Sequence, residues 1–193
     1  SKNQKLGLGL DEKILPQYLK ELNYSTYLLG KWHLGSYIPD YFPTRRGFDY
    51  FYGYLTGGIG YWDHIHGGGH DWQRNEVGLR EDGYVTQLIK NDTLKIINDH
   101  DFTNPIFLNV NFAAPHIPNE APEESVLKFS YIEDETRRLH AAMIHEMDNA
   151  IGEIIAALKK ENVLKNTIVM FASDNGGLTP DVELNPSFLS IPK

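Results

Sequence analysis

Cysteine is missing altogether from this 193-residue chain. Its absence excludes disulfides, thiolate metal ligands and a thiol nucleophile, and it leaves the redox compartment unread. Runs of lysine and arginine are also missing, and the formal net charge is −8. That argues against a nucleic-acid partner, which needs a basic face for its phosphates. A small anionic substrate is still open, because local charge decides such binding. No apolar run approaches the roughly 20 residues of a membrane-spanning helix, so no membrane partner is expected. The first residues, Ser1-Lys2-Asn3-Gln4-Lys5, form no signal peptide and do not begin with Met. The last, from Pro186 to Lys193, carry no helix signature. Both ends therefore read as cut points, and the expectation is one partial domain over 1–193. Hydrophobic residues make up 41% of the chain, enough for a core.

What is present alternates between helical and extended patterns. Leu10, Ile14, Tyr18 and Leu22 are spaced by four, which predicts a helix with Asp11 as N-cap and Pro16 limiting its start. Ser25-Thr26-Tyr27-Leu28-Leu29 predicts a short buried strand ending at Gly30. From Gly35 to about Asp82 the chain is rich in Gly, Tyr, Trp and His and reads as a long functional loop. A second helix is expected from about Tyr84 to Asn98. Ile106 to Phe112 alternates as a strand, ended by Pro115 and Pro118. Leu139, Met143, Met147, Ile151, Ile154 and Leu158 mark one face of a long helix from Asp134 to Glu161. Thr167 to Ala172 is nearly all apolar and predicts a third strand, covered on both faces. Helix and strand alternating three times is the pattern of an α/β layered domain with a largely parallel sheet.

Polar clusters follow each expected strand. They are Gly30-Lys31-Trp32-His33-Leu34-Gly35, Ala114-Pro115-His116-Ile117-Pro118 and Ser173-Asp174-Asn175-Gly176-Gly177. Ligands of open α/β sheets bind outside the carboxyl ends of the strands, so the clusters should share one rim. Lys31 and His33, two apart, should point the same way from an extended segment and suit an oxyanion or a nucleophile that must lose a proton. His116 sits between prolines that stiffen its aim. Asp174 and Asn175 offer the hard oxygens that Ca²⁺ or Mg²⁺ prefers. Taken singly, each cluster is more usually a turn, loop or surface feature; their common position is what carries the argument. A rival is Asp63-His64-Ile65-His66-Gly67-Gly68-Gly69-His70, which could hold zinc but more naturally lines a pocket with Tyr61, Trp62 and Trp72.

At these residues the chain resembles the sulfatase family. Gly-Lys-Trp-His-Leu-Gly at 30–35 is similar to a family signature, with Leu22-Asn23-Tyr24-Ser25-Thr26 as its lead-in. Pro43-Thr44-Arg45-Arg46-Gly47-Phe48-Asp49, Phe51-Tyr52-Gly53, Ala114-Pro115-His116 and Ser173-Asp174-Asn175-Gly176-Gly177 are family-like too, in order and spacing, from Leu8 to Gly177. The tryptophan-bearing signature and the Arg-Gly-Phe-Asp region look most like the arylsulfatase B type, the N-acetylgalactosamine-4-sulfatases. The resemblance implies an alkaline-phosphatase-like α/β fold, incomplete here, with a largely parallel central sheet flanked by helices. It implies a sulfuric ester hydrolase acting through a formylglycine nucleophile on a sulfated small molecule or glycosaminoglycan. In that scheme Lys31 holds the hydrated formylglycine and the sulfate, and His33 takes a proton when the covalent sulfate is expelled. His116 binds sulfate near the leaving group, and Asp174 and Asn175 are Ca²⁺ ligands. Lysosomal or secreted localisation follows from the family alone; the sequons at Asn23 and Asn91 are compatible with it. This chain departs from the pattern in having no Cys-x-Pro-x-Arg motif to supply the nucleophile, and the family's aspartate pair for calcium would precede Ser1. Residues 178–193 do not match the context of the family's further sulfate-binding lysine, so no role is carried to Lys193. Alternatives kept open are a phosphate-ester hydrolase of the same superfold and a non-catalytic anion-binding module.

Overall fold

The buried strand expected from Ser25 continues to Lys31. In the computed structural model, which describes residues 7–177, this strand is β1 (Ser25–Lys31). It runs parallel to β2 (Tyr50–Tyr54) on one side and to β7 (Ile106–Asn111) on the other. Two short antiparallel strands, β5 (Gln73–Arg74) and β6 (Val77–Gly78), extend the sheet beyond β2, giving the order β6-β5-β2-β1-β7. A separate hairpin pairs β3 (Ile65–His66) with β4 (Gly69–His70).

Side-chain alternation decides what each face buries. Tyr27 and Leu29 of β1, with Tyr50, Tyr52 and Tyr54 of β2, join one cluster with Trp72, Tyr84, Ile89 and Met143. Leu28 and Phe51, their alternates, face the other side with Trp32, Phe48 and Leu55. The first cluster is roofed by α2 (Val85–Asp99) and α4 (Glu135–Lys160), which pack on each other. Asp92 of α2 accepts from Tyr50 Oη at 2.5 Å and from Arg74 Nη1 at 2.9 Å, fastening the helix to the sheet. A shorter helix, α3 (Glu123–Lys128), packs on α4, where Ser125 donates to Glu146.

Three expectations need correcting. The first helix is α1 (Leu15–Glu21), and Ile14 rather than Asp11 is its N-cap residue. Pro16 sits in the first turn of the helix, where its missing N–H breaks no intrahelical bond, and Gln17 Oε1 accepts from the Ile14 N–H at 2.9 Å. The loop from Gly35 to Asp82 holds β2, the small strands and two 3₁₀ turns, Pro39–Tyr41 and Pro43–Arg45. Residues 167–172 pair with no strand among the described residues, and Ile168, Met170 and Phe171 are 90%, 87% and 76% exposed. An apolar run becomes a strand only where an edge takes its hydrogen bonds, and no such edge meets it here. The long helix stands as expected, with Asp134 capping it by accepting from the Arg137 N–H at 2.8 Å.

Candidate active site

Lys31 ends β1, and the chain then leaves the sheet in a controlled way. The N–H groups of Trp32 and His33 donate to Tyr54 O and Leu55 O at 3.0 and 3.1 Å. Trp32 is buried and its Nε1 donates to Gly35 O and Tyr41 O, at 3.1 and 2.9 Å, which locks the turn from below. His33 itself has φ of 57°, in the left-handed region. For a residue with a Cβ that costs on the order of 1–3 kcal/mol, and such strain concentrates where a side chain must be aimed. The aim of His33 is therefore set by this reversal, not by the simple extended alternation expected. Behind the turn, Gly30 and Gly53 face each other in register with φ of 100° and 152°. A Cβ on Gly30 would stand 1.9 Å from Asn111 O, and one on Gly53 2.1 Å from Gly30 O, so only glycine lets the three strand ends close up. Asn111 Nδ2 then donates to Lys31 O at 2.9 Å, tying β7 to the end of β1.

A second pair of glycines forms the floor. A Cβ on Gly57 would meet the His33 ring at 2.5 Å, and one on Gly58 would lie 3.1 Å from His116 Cε1. The rings thus rest on bare backbone, which Asp71 holds in place. Its Oδ2 accepts from the Thr56 N–H at 2.9 Å, and its Oδ1 from the Leu55 N–H at 3.1 Å. His116 is fixed by its backbone: its N–H donates to Ala113 O at 2.9 Å and its carbonyl accepts from Tyr61 Oη at 2.9 Å. Nδ1 of His116 lies 2.7 Å from Ile117 O; since a carbonyl only accepts, Nδ1 carries the proton.

Asp174 reaches the same place from the other side, with Oδ2 3.7 Å from Lys31 Nζ. The Lys31 side chain is mostly buried and Asp174 largely exposed, so this is a contact at the mouth of the site. Asn175 is not aimed inward: its Nδ2 donates to Gly176 O at 2.8 Å. The His33 pKa is lowered, first by burial and then by the positive fields of Lys31, His116 and His66, with Asp174 opposing. A neutral imidazole beside a lysine ammonium can accept a proton near neutrality, and the pair can face an oxyanion. Four of the five expected site residues thus converge on one rim. As a calcium site, Asp174 and Asn175 have the right donor type and too few members. Ca²⁺ takes about six to eight oxygens, and no group of three or more His, Cys, Asp or Glu that could hold a metal occurs among the described residues.

The chain as a whole is similar to known proteins. A family model described as Sulfatase matches residues 2–186. The chain belongs to the sulfatase family. Mouse (Mus musculus) arylsulfatase J is 40% identical over 178 residues, which are 88% of this chain and 30% of that protein. Human (Homo sapiens) N-acetylgalactosamine-6-sulfatase is 28% identical over 185 residues, 88% of this chain and 34% of that protein. Among solved structures, Ps i-CgsB in complex with k-i-k-neocarrahexaose superposes with a TM-score of 0.75 at 29% identity, over 83% of this chain and 39% of that one. The sulfatase chain thus spans about a third of the length of the relatives it matches, and its fold is the alkaline-phosphatase-like α/β fold with a mostly parallel central sheet.

Several family-like stretches of this sulfatase turn out to be scaffold. Arg46 is buried and donates to Leu8 O, Gly9 O and Glu12 O at 3.0, 3.2 and 2.7 Å, clamping the segment before α1. Asp49 Oδ2 accepts from Thr26 N and Thr26 Oγ1, both at 3.0 Å, and fixes the loop to β1. The histidine-rich stretch splits. His64 is buried, stacks on Trp72 with centroids 5.1 Å apart, and its Nε2–H donates to Gly83 O at 2.9 Å. It is a core residue, whereas His66 faces the active-site rim. Gly57 and Gly58 were not singled out from sequence, and His66 stood there only within the rival histidine cluster. The only hint was their place in a glycine- and histidine-dense loop.

Proposed function

We propose that this chain carries the sulfate-binding half of a sulfuric ester hydrolase active site, of the arylsulfatase or N-acetylgalactosamine-sulfatase type. The observation that carries the reading is the convergence of Lys31, His33 and His116 over the Gly57-Gly58 floor. The Lys31 ammonium binds sulfate oxygens. His116, its Nδ1–H held by Ile117 O, would donate from Nε2–H in its imidazolium form to a sulfate oxygen near the leaving group. His33, held neutral, accepts and returns the proton that the nucleophile must lose. The nucleophile itself, a formylglycine hydroxyl in this family, has no counterpart here because the chain contains no cysteine. Asp174 would be one ligand of a Ca²⁺ ion, and Asn175 a second only if its side chain turned from its bond to Gly176 O. Sulfated glycans or smaller sulfate esters are the substrates, and a lysosomal or secreted location fits the exposure of Asn23 and Asn91. Hydrolysis of a chromogenic aryl sulfate tests the reading. The chain alone, treated with the formylglycine-generating enzyme, should be inactive, since covalent catalysis needs a nucleophile. A longer polypeptide that includes the cysteine motif should turn over and lose that activity by orders of magnitude in Lys31→Ala. Robust turnover by residues 1–193 alone would contradict the assignment.

A further inference from the structure

Asn175 alone among the asparagines of this chain is followed by glycine. The backbone nitrogen after an asparagine can attack the side-chain amide carbon. A side chain on that following residue hinders the approach, and glycine has none. Folding normally blocks the reaction, because a peptide held in a helix or a strand ladder cannot bend into the five-membered ring it requires. Asn91 and Asn149 are held in this way inside α2 and α4, and Asn109 and Asn111 inside β7.

No such restraint acts on Asn175. Residues 171–177 are all exposed and belong to no helix or strand. A Cβ built on Gly176 or on Gly177 would meet nothing within 4 Å. Among the described residues no backbone carbonyl takes the Gly176 N–H. Two hydrogen bonds favour the attack. Asn175 Nδ2 donates to Gly176 O at 2.8 Å, which folds the carboxamide back over Gly176. Ser173 Oγ donates to Asn175 O at 2.6 Å, which polarises the carbonyl bonded to the Gly176 nitrogen and makes that N–H more acidic. The related pair Asp82-Gly83 shows the contrast. A Cβ on Gly83 would stand 2.9 Å from the Leu88 side chain, and the Gly83 carbonyl is held by His64 Nε2 at 2.9 Å.

We propose that Asn175-Gly176 is a site of spontaneous deamidation, and that its conversion weakens anion binding at Lys31. Gly176 N gives up its proton to hydroxide and bonds to Asn175 Cγ. Nδ2 takes a proton and leaves as ammonia, which closes a succinimide. Water then opens the ring. Breaking the new N–Cγ bond leaves an aspartyl residue; breaking the original backbone C–N bond leaves an isoaspartyl residue, with the main chain rerouted through the side chain. Either product places a carboxylate next to Asp174, whose Oδ2 is already 3.7 Å from Lys31 Nζ. A further negative charge there opposes an anion at the Lys31 ammonium. This consequence rests on the sulfate-site reading; the deamidation itself does not.

The test is incubation of the intact 193-residue chain at mildly alkaline pH, with peptide mapping by mass spectrometry and methyltransferase labelling of isoaspartyl residues. The mass change of an amide becoming an acid should concentrate at Asn175 and should form faster as pH rises. Gly176→Ala should slow it severalfold, since the added Cβ obstructs the attacking nitrogen. Calorimetry should then show sulfate affinity reduced by about two- to fivefold in the converted chain and in Asn175→Asp, the scale of one exposed charge contact. Gly176→Ala, incubated alongside, should keep the sulfate affinity it had at the start. Asn175 unchanged under conditions that convert a free peptide of the same sequence, or conversion spread evenly over other asparagines, would overturn the site. Complete conversion with sulfate affinity unaltered would overturn its effect on Lys31. If the fresh chain bound no sulfate, the sulfate-site reading would fall and take that effect with it, while conversion at Asn175 would still be read by mass.

Discussion

Tyr54 stands beside Lys31 in the β1–β2 register, with its hydroxyl fully buried and without a hydrogen-bond partner among the described residues. Burial, then the fields of Asp71 and Asp174, push its pKa far above the ordinary tyrosine value. An unpaired buried hydroxyl contributes nothing to set against its desolvation, so Tyr54→Phe should leave stability unchanged or raise it by up to about 1 kcal/mol. Urea unfolding checks this, and a loss of more than that would mean that the hydroxyl has a partner. His33 carries the pH dependence. Its pKa in the folded chain is lowered below 6.5, by burial first and then by Lys31, His116 and His66 against Asp174. The neutral form is thus favoured by folding. That contribution is complete above the unfolded value and is lost as pH falls through the lowered folded value. An anion reverses the preference, because it stabilises the protonated ring. Sulfate should therefore raise the melting temperature more at about pH 5.5 than at pH 8, with the excess reduced in His33→Gln. An effect independent of pH would remove His33 from the site.

At the scale of elements, the glycine floor makes a sharper demand than any single side chain. Gly57→Ala would place a methyl 2.5 Å from the His33 ring. The ring lies at the surface of the site and can swing away, so the fold should survive while sulfate affinity falls. Far-UV circular dichroism unchanged with binding lost is the expected pair; unchanged binding would show that the floor does not position His33. This floor was hidden in the sequence because it arises from rings and backbone far apart in the chain, which leave no local periodicity. β1, α2, β7 and α4 were legible, since each carries a complete apolar pattern, and Asp134 marked the start of α4. The positions of Lys31, His33 and His116 were legible for the same reason, as Lys31 ends β1 and the two histidines come after β1 and β7. The start of α1 was misplaced because Pro16 outweighs the apolar spacing that begins at Leu10. Residues 167–172 failed as a strand because the pattern records apolarity and not the edge that must pair with it.

At the scale of the whole molecule, two unpartnered features stand together. The outer edge of β7 has no strand neighbour among the described residues, and all six of its residues are half-buried. Beside α4, Phe129, Ile144, Met147, Ile151 and Phe171 line an apolar trough of about 440 Å³. Open edges and apolar patches promote association, so the isolated chain should show light scattering that grows with concentration, and Phe171→Asp should reduce it without altering sulfate binding. Equal scattering in that variant would place the sticky surface elsewhere. The central claim, that Lys31, His33 and His116 form a sulfate site, has its most direct test in calorimetric titration of the chain with sulfate. The account predicts one site, weakened by about tenfold or more in Lys31→Ala and in His116→Ala, as expected for loss of a charge-assisted hydrogen bond of roughly 1.5–3 kcal/mol. Sulfate binding of equal strength in the unaltered chain and both variants would contradict it.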